Sequence, residues 1–116
     1  MASVLIPIST GFEEIEAVSI IDVLRRGGIQ VTTASLGDEK VTGANGITII
    51  ANNKLEYIDV DEFDMVVLAG GHDNAVSLKE SAKVQEILKS FDAKKKPIAA
   101  ICAAPMALHE AGVIKR

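Results

Sequence analysis

The chain has 116 residues, 48% hydrophobic and 24% charged, with a formal net charge of −4. That length suits a single domain over residues 1–116, and the apolar share supports a packed core. An acidic balance without a clustered basic face argues against nucleic acid, and no apolar run approaches the length of a membrane span.

Aromatics are scarce, with no Trp, one Tyr and three Phe, so the core must come from Val, Ile, Leu, Ala and Met. The single cysteine cannot form an internal disulfide, and the first residues carry no signal-peptide pattern. Both features suit a reducing, cytoplasmic compartment.

The first element is Val4–Ile8, an apolar run that fits a strand buried on both faces, with Pro7 near its end. Thr10 followed by Glu13 matches a capping box. Ile15, Val18, Ile21 and Leu24, with Ile20 beside them, then predict a helix packing an apolar stripe inward. Arg25 and Arg26 complement its C-terminal dipole, and Gly27 and Gly28 stop it. Ile29–Ser35 is a β-branched strand, and Asn45-Gly46 reads as the turn of a hairpin joining Val41-Thr42 to Ile47–Ala51.

Met65–Ala69 is a further buried strand ending at Gly70-Gly71, and the following "HDN" reads as a polar turn. Glu80–Ser90 predicts the second main helix, with Val84, Ile87, Leu88 and Phe91 inward, and Lys94–Lys96 its solvated end. Pro97–Ile101 is another strand, and "APMALHEAG" a helix closed by Gly112. Strands alternating with helices imply a parallel sheet covered on both faces, with ligands bound beyond the carboxyl ends of the strands.

Cys102 stands at one of those ends, between a strand and a helix, among small residues that permit a sharp turn. The arrangement is similar to a nucleophile elbow, without its glycines, and a helix N-terminus favours thiolate. The bland alternative is a buried core thiol. Glu16 lies one turn into the first helix and is either solvated or turned to the cleft. Beside Cys102 it works when protonated, donating a hydrogen bond to sulfur, so that the two titrate as a pair. Gly70-Gly71 either makes a plain turn or lets a backbone N–H reach a substrate oxygen, forming an oxyanion hole with the N–H of Ala103. Gly70 and His72 lie at the cleft rim. His72 is a possible general base or simply exposed. His109, seven residues past Cys102, is too far along its helix to touch the sulfur. "HEAGV" lacks the second histidine of a zinc helix, and no phosphate-binding glycine motif occurs.

The combination of "GFEEIEAV", "DMVVLAGG" and "IAAICAAP" resembles the ThiJ/PfpI superfamily, and within it the branch of the human Parkinson-disease protein deglycase. The resemblance covers essentially the whole chain. It implies a flavodoxin-like α/β three-layer sandwich with a mostly parallel sheet, here the N-terminal portion of the family fold, and a homodimer. Cys102 matches the family's reactive cysteine, Glu16 the glutamate bonded to it, and Gly71 and Ala103 the backbone donors facing the cleft. Ala69 stands where close relatives have proline, and Ala104 where many have glycine.

Family members continue past this point, to a histidine often placed near the cysteine. The domain is therefore expected to be incomplete through cleavage or truncation after Arg116, with the C-terminal piece present as a separate chain. The implied activity is a cysteine-dependent, glutathione-independent glyoxalase or deglycase acting on small reactive carbonyls such as methylglyoxal in stress protection, with no metal or organic cofactor. The alternatives are a redox sensor or chaperone that works through oxidation of Cys102, and a cysteine peptidase or amidase, which would want a histidine base.

Overall fold

The computed structural model describes residues 2–114. Five strands form one parallel sheet in the order β5-β2-β1-β6-β7: β1 (Ser3–Ile8), β2 (Gln30–Ser35), β5 (Asn53–Lys54), β6 (Met65–Leu68) and β7 (Ile98–Ala100). β1 is central and pairs with β2 along its whole length, from Ser3↔Gln30 to Ile8↔Ser35. Its pairing with β6 spans only Val4↔Met65 and Leu5↔Val66. Pro7 lies beyond that short ladder, which is why a residue without an N–H is tolerated in a central strand. The fold is the α/β sandwich expected from the alternation of strands and helices.

Three helices cover one face: α2 (His72–Glu80), α3 (Ala82–Ala93) and α4 (Pro105–Ala111). Leu78, Val84, Ile87, Leu88, Phe91, Ala104 and Ala107 pack there against Leu5, Val66 and Leu68. Among the described residues the other face carries only α1 (Glu14–Arg26), whose Ile20, Ile21 and Leu24 rest on Val4, Ile6, Val31 and Val67. The alternation of Val66, Val67 and Leu68 between the two clusters is the period-2 geometry of a strand buried on both sides. The antiparallel hairpin β3 (Lys40–Thr42) and β4 (Thr48–Ile50) stands beside the sheet, and its Val41 packs with Ile8, Phe12 and Ala17.

Four expectations need correction. The capping box does not form: α1 starts at Glu14, and Glu13 is the N-cap, its own carboxylate accepting from the Glu16 N–H. The apolar stripe of α1 does not all face inward. Ala17 is buried, Ile20, Ile21 and Leu24 are half-buried, and Ile15 and Val18 lie at the surface. The single helix from Glu80 is two helices, because the segment read as a polar turn is α2 and Ser81 ends it. The Ser81 side chain then accepts from the Val84 N–H and opens α3. Finally, Lys94–Lys96 is not simply a solvated end. Lys94 pairs with Asp61, while Lys96 Nζ donates to the Phe63 carbonyl and sits over the Phe91 ring.

Candidate active site

The carboxyl ends of β1, β6 and β7 converge. β7 ends at Ala100, and a short turn carries Cys102 before Pro105 opens α4. Cys102 adopts φ 57°, the left-handed region that side chains with a Cβ rarely enter. Strained residues of this kind cluster at functional sites. The turn leaves the side chain exposed rather than in the core.

Glu16 comes from the first turn of α1, whose backbone is set by the Glu13 cap. Its Oε2 accepts a hydrogen bond from Cys102 Sγ at 2.8 Å, and its Oε1 accepts from the Gly70 N–H at 3.0 Å. The Cys102 thiol is held above its ordinary value. The largest cause is the hydrogen bond to Glu16, followed by partial desolvation and then the negative charges of Glu16 and Glu13. The thiolate favoured from the helix N-terminus is thus opposed by the carboxylate. α4 begins only at Pro105 and has seven residues, so its dipole is a weak counterweight.

Gly70 and Gly71 are required by close approach. A side chain at Gly70 would run into the Glu16 carboxylate and the Cys102 Cβ, and one at Gly71 into the Gly11 carbonyl. Gly71 also takes φ 98°, a conformation open to glycine. The Gly70 N–H is engaged by Glu16, so of the two it is Gly71 whose N–H is open. Among the described residues, neither the Gly71 nor the Ala103 N–H has an acceptor. His72 is the exposed first residue of α2, and no hydrogen bond joins it to Cys102. His109 is exposed in the last turn of α4. No cluster of metal-ligating side chains occurs among the described residues.

Asn74, unremarked in the sequence, is the fully buried side chain behind this site. Its Oδ1 accepts from the Ser9 N–H at 2.8 Å, and its Nδ2 donates to the carbonyls of Ala69 at 3.0 Å and Gly70 at 3.3 Å. It therefore fastens the end of β1 to the peptide that carries the Gly70 N–H. The available signal was its spacing: four residues before the buried Leu78, it shares the inward face of α2.

These features define an α/β protein with an exposed cysteine on a strained strand-to-helix turn, hydrogen-bonded to a carboxyl group from a neighbouring helix. The DJ-1/PfpI family pattern matches residues 2–116, and the chain belongs to that family. It is 41% identical over 112 residues to the Drosophila melanogaster protein dj-1beta, covering 96% of this chain and 60% of that one. The Parkinson disease protein 7 homolog of Danio rerio is 41% identical over 111 residues, covering 94% and 59%. A deglycase of Thermococcus kodakarensis is 35% identical over 112 residues, covering 97% and 67%. The structure of oxidized Toxoplasma gondii DJ-1 superposes with a TM-score of 0.94 at 37% identity, covering 97% of this chain and 62% of that one. The chain thus spans about 60% of the length of these two animal relatives. No helix among the described residues is long and apolar enough to cross a membrane.

Proposed function

We propose that the chain carries the reactive centre of a glutathione-independent glyoxalase or deglycase acting on small dicarbonyls such as methylglyoxal. The observation that carries this reading is the 2.8 Å hydrogen bond between Cys102 Sγ and Glu16 on a left-handed turn. It presents an exposed sulfur with an acid–base group already in reach. The deglycase of T. kodakarensis at 35% identity supports the same class.

In this reading Cys102 Sγ bonds to the aldehyde carbon of methylglyoxal while Glu16 takes the thiol proton. The N–H groups of Gly71 and Ala103 receive the developing alkoxide. Glu16 returns the proton to that oxygen, giving a hemithioacetal. The carboxylate then removes the hydrogen from the same carbon, and the electron pair shifts into the neighbouring carbonyl to form an enediolate. Glu16 returns that proton to the second carbon while the hydroxyl proton of the first carbon passes to the second oxygen, giving a 2-hydroxy thioester. Water hydrolyses it to lactate and frees the thiol. The sum is methylglyoxal plus water to lactate, with no oxidant or reductant. His72 at the rim has no part in these steps.

The same site supports a second reading, favoured by the likeness to a DJ-1 in its oxidized form. Here peroxide oxidises Cys102 to the sulfinate, which Glu16 hydrogen-bonds. The test is lactate formation from methylglyoxal by wild type, Cys102→Ala and Glu16→Gln. Turnover that falls by about 100-fold or more in both variants supports the enzyme. Absent wild-type turnover, with ready conversion of Cys102 to the sulfinate by peroxide, supports the sensor. A homodimer and a cytoplasmic location belong to the same proposal. The first rests on the apolar surface of α1 and the hairpin, the second on a lone, unpaired cysteine.

A further inference from the structure

Glu14 is the one buried carboxylate among the described residues, only 5% exposed, and the proposed chemistry does not use it. It lies two positions before Glu16, so the two side chains leave α1 about 200° apart around the helix. While Glu16 reaches Cys102, Glu14 reaches the turn between β3 and β4. Its Oε2 accepts from the backbone N–H groups of Asn45 at 2.8 Å and Ile47 at 3.2 Å, and its Oε1 accepts from Asn45 Nδ2 at 2.9 Å. The turn closes directly over the carboxylate, since a Cβ at Gly43 would lie 2.5 Å from Glu14 Cδ.

Burial alone would push this carboxyl up. The bonds from the Asn45 side chain, the Ile47 N–H, its own N–H and the Asn45 N–H outweigh burial and hold it below the usual carboxylate range. It is an ionised, fully engaged group rather than a solvated helix-start glutamate. The turn also takes hold of the segment before α1, where Gly11 N–H donates to the Thr42 carbonyl and Ala44 N–H to the Phe12 carbonyl. On the opposite side the same segment is fixed to the site, where Glu13 N–H donates to the Gly70 carbonyl and Gly70 N–H to Glu16. The start of α1 is thus held between two fixtures, one at the reactive centre and one at the hairpin.

We propose that Glu14 is a positioning residue: its carboxylate clamps the β3–β4 turn to the first turn of α1 and so sets where Glu16 stands against Cys102. The inference rests on the reading that Cys102 and Glu16 form the reactive centre. It predicts that the hairpin, which contributes no side chain to the chemistry, governs the protonation of the cysteine.

The experiment compares Glu14→Ala, Glu14→Gln and Gly43→Ala by the pH dependence of Cys102 alkylation and by methylglyoxal kinetics. Glu14→Ala removes the clamp. Gly43→Ala leaves Glu14 in place but drives a methyl group into its carboxylate. Glu14→Gln keeps one oxygen for the two backbone N–H groups, and its amide nitrogen can donate to Asn45 once that side chain turns over. The expected result is a shift in the alkylation midpoint of about half a pH unit or more in Glu14→Ala and Gly43→Ala. In both, kcat falls about tenfold with little change in KM, and Glu14→Gln recovers most of the loss. If Glu14→Ala does not fold, Gly43→Ala carries the comparison. Variants that melt earlier yet keep the wild-type midpoint and kcat overturn the proposal. Alkylation needs no substrate, so it still reports on the clamp if wild type fails to turn over methylglyoxal, and that failure counts against the enzyme reading alone.

Discussion

The protonation of Cys102 is decided by what surrounds one sulfur atom. Glu16 accepts the thiol hydrogen bond, and losing that proton leaves two negative charges in contact. The shift in Cys102 is upward, so the group keeps its proton to higher pH and its reaction with iodoacetamide should switch on above the free thiol value of roughly 8.5. Glu16→Gln removes the largest cause and the charge with it, so the midpoint should move down. A wild type that alkylates fully below that value, with a midpoint rising in Glu16→Gln, would place the resting proton on Glu16 instead. Asn74 acts on the same site from behind. Asn74→Ala leaves the Ser9 N–H without its acceptor and removes a donor from two carbonyls. Urea unfolding should show a loss of about 1–3 kcal/mol, whereas a loss below roughly 0.5 kcal/mol would mark an ordinary surface-like substitution. Position alone left Cys102 open between a core thiol and a reactive one, and Glu16 between solvent and cleft; it is the resemblance of their motifs to a known family that singled the two out in the sequence. Asn74 and Glu14 were not singled out. A polar residue after two glycines reads as a turn former, and a glutamate in a helix's first turn reads as a dipole partner. Only the folded neighbours, the Ala69 and Gly70 carbonyls and the Asn45 turn, give them their roles.

At the scale of elements, short apolar and β-branched runs located β1, β2, β6 and β7, the Asn45-Gly46 turn located the hairpin and the Gly112 stop located α4, while periodicity placed Val84, Ile87, Leu88 and Phe91 correctly on the buried face of α3. It missed α2 because only Asn74, Ala75 and Leu78 of that helix are buried, too few apolar positions to show a period. The break after Glu80 is local chemistry. Ser81 takes an extended backbone, ends α2, and turns its hydroxyl to the Val84 N–H at 3.2 Å. Losing such a cap costs about 0.5–2 kcal/mol, so Ser81→Ala should lower stability by that amount in urea melts. Because the Ser81 hydroxyl serves Val84 and makes no hydrogen bond to Cys102, Glu16 or Gly70, Cys102 alkylation should stay unchanged. A Ser81→Ala protein as stable as wild type would mean that packing of Leu78 and Val84 alone separates the helices.

Across the described residues as a whole, the two faces of the sheet are unequally covered: three helices lie on one and α1 alone on the other. The stripe read in the sequence as core includes Ile15, which is 76% exposed, and Val18, and nearby stand Ile47 and Ile50, the latter 72% exposed. Sequence periodicity detects an apolar face but does not distinguish one turned toward the protein's own sheet from one turned outward, and here α1 has both. Val18 and Ile50 line one open cavity of about 340 Å³ with Ile21, Ile49 and Arg25, between α1 and the hairpin. An apolar surface shared by two elements, rimmed by Arg25 and Asp22, has the form of an isologous interface, and a stable one needs roughly 800 Å² from each partner. In sedimentation at micromolar concentration, wild type should run as a dimer and Ile50→Glu as a monomer with its fold intact by circular dichroism. Ile50 is too exposed for the change to disturb the monomer by more than about 0.5 kcal/mol, so any larger fall in melting temperature should depend on protein concentration, as mass action requires. A wild type that stays monomeric in this range would leave the apolar face of α1 without a self-complementary role. The hairpin's part in the molecule would then reduce to its grip on Glu14.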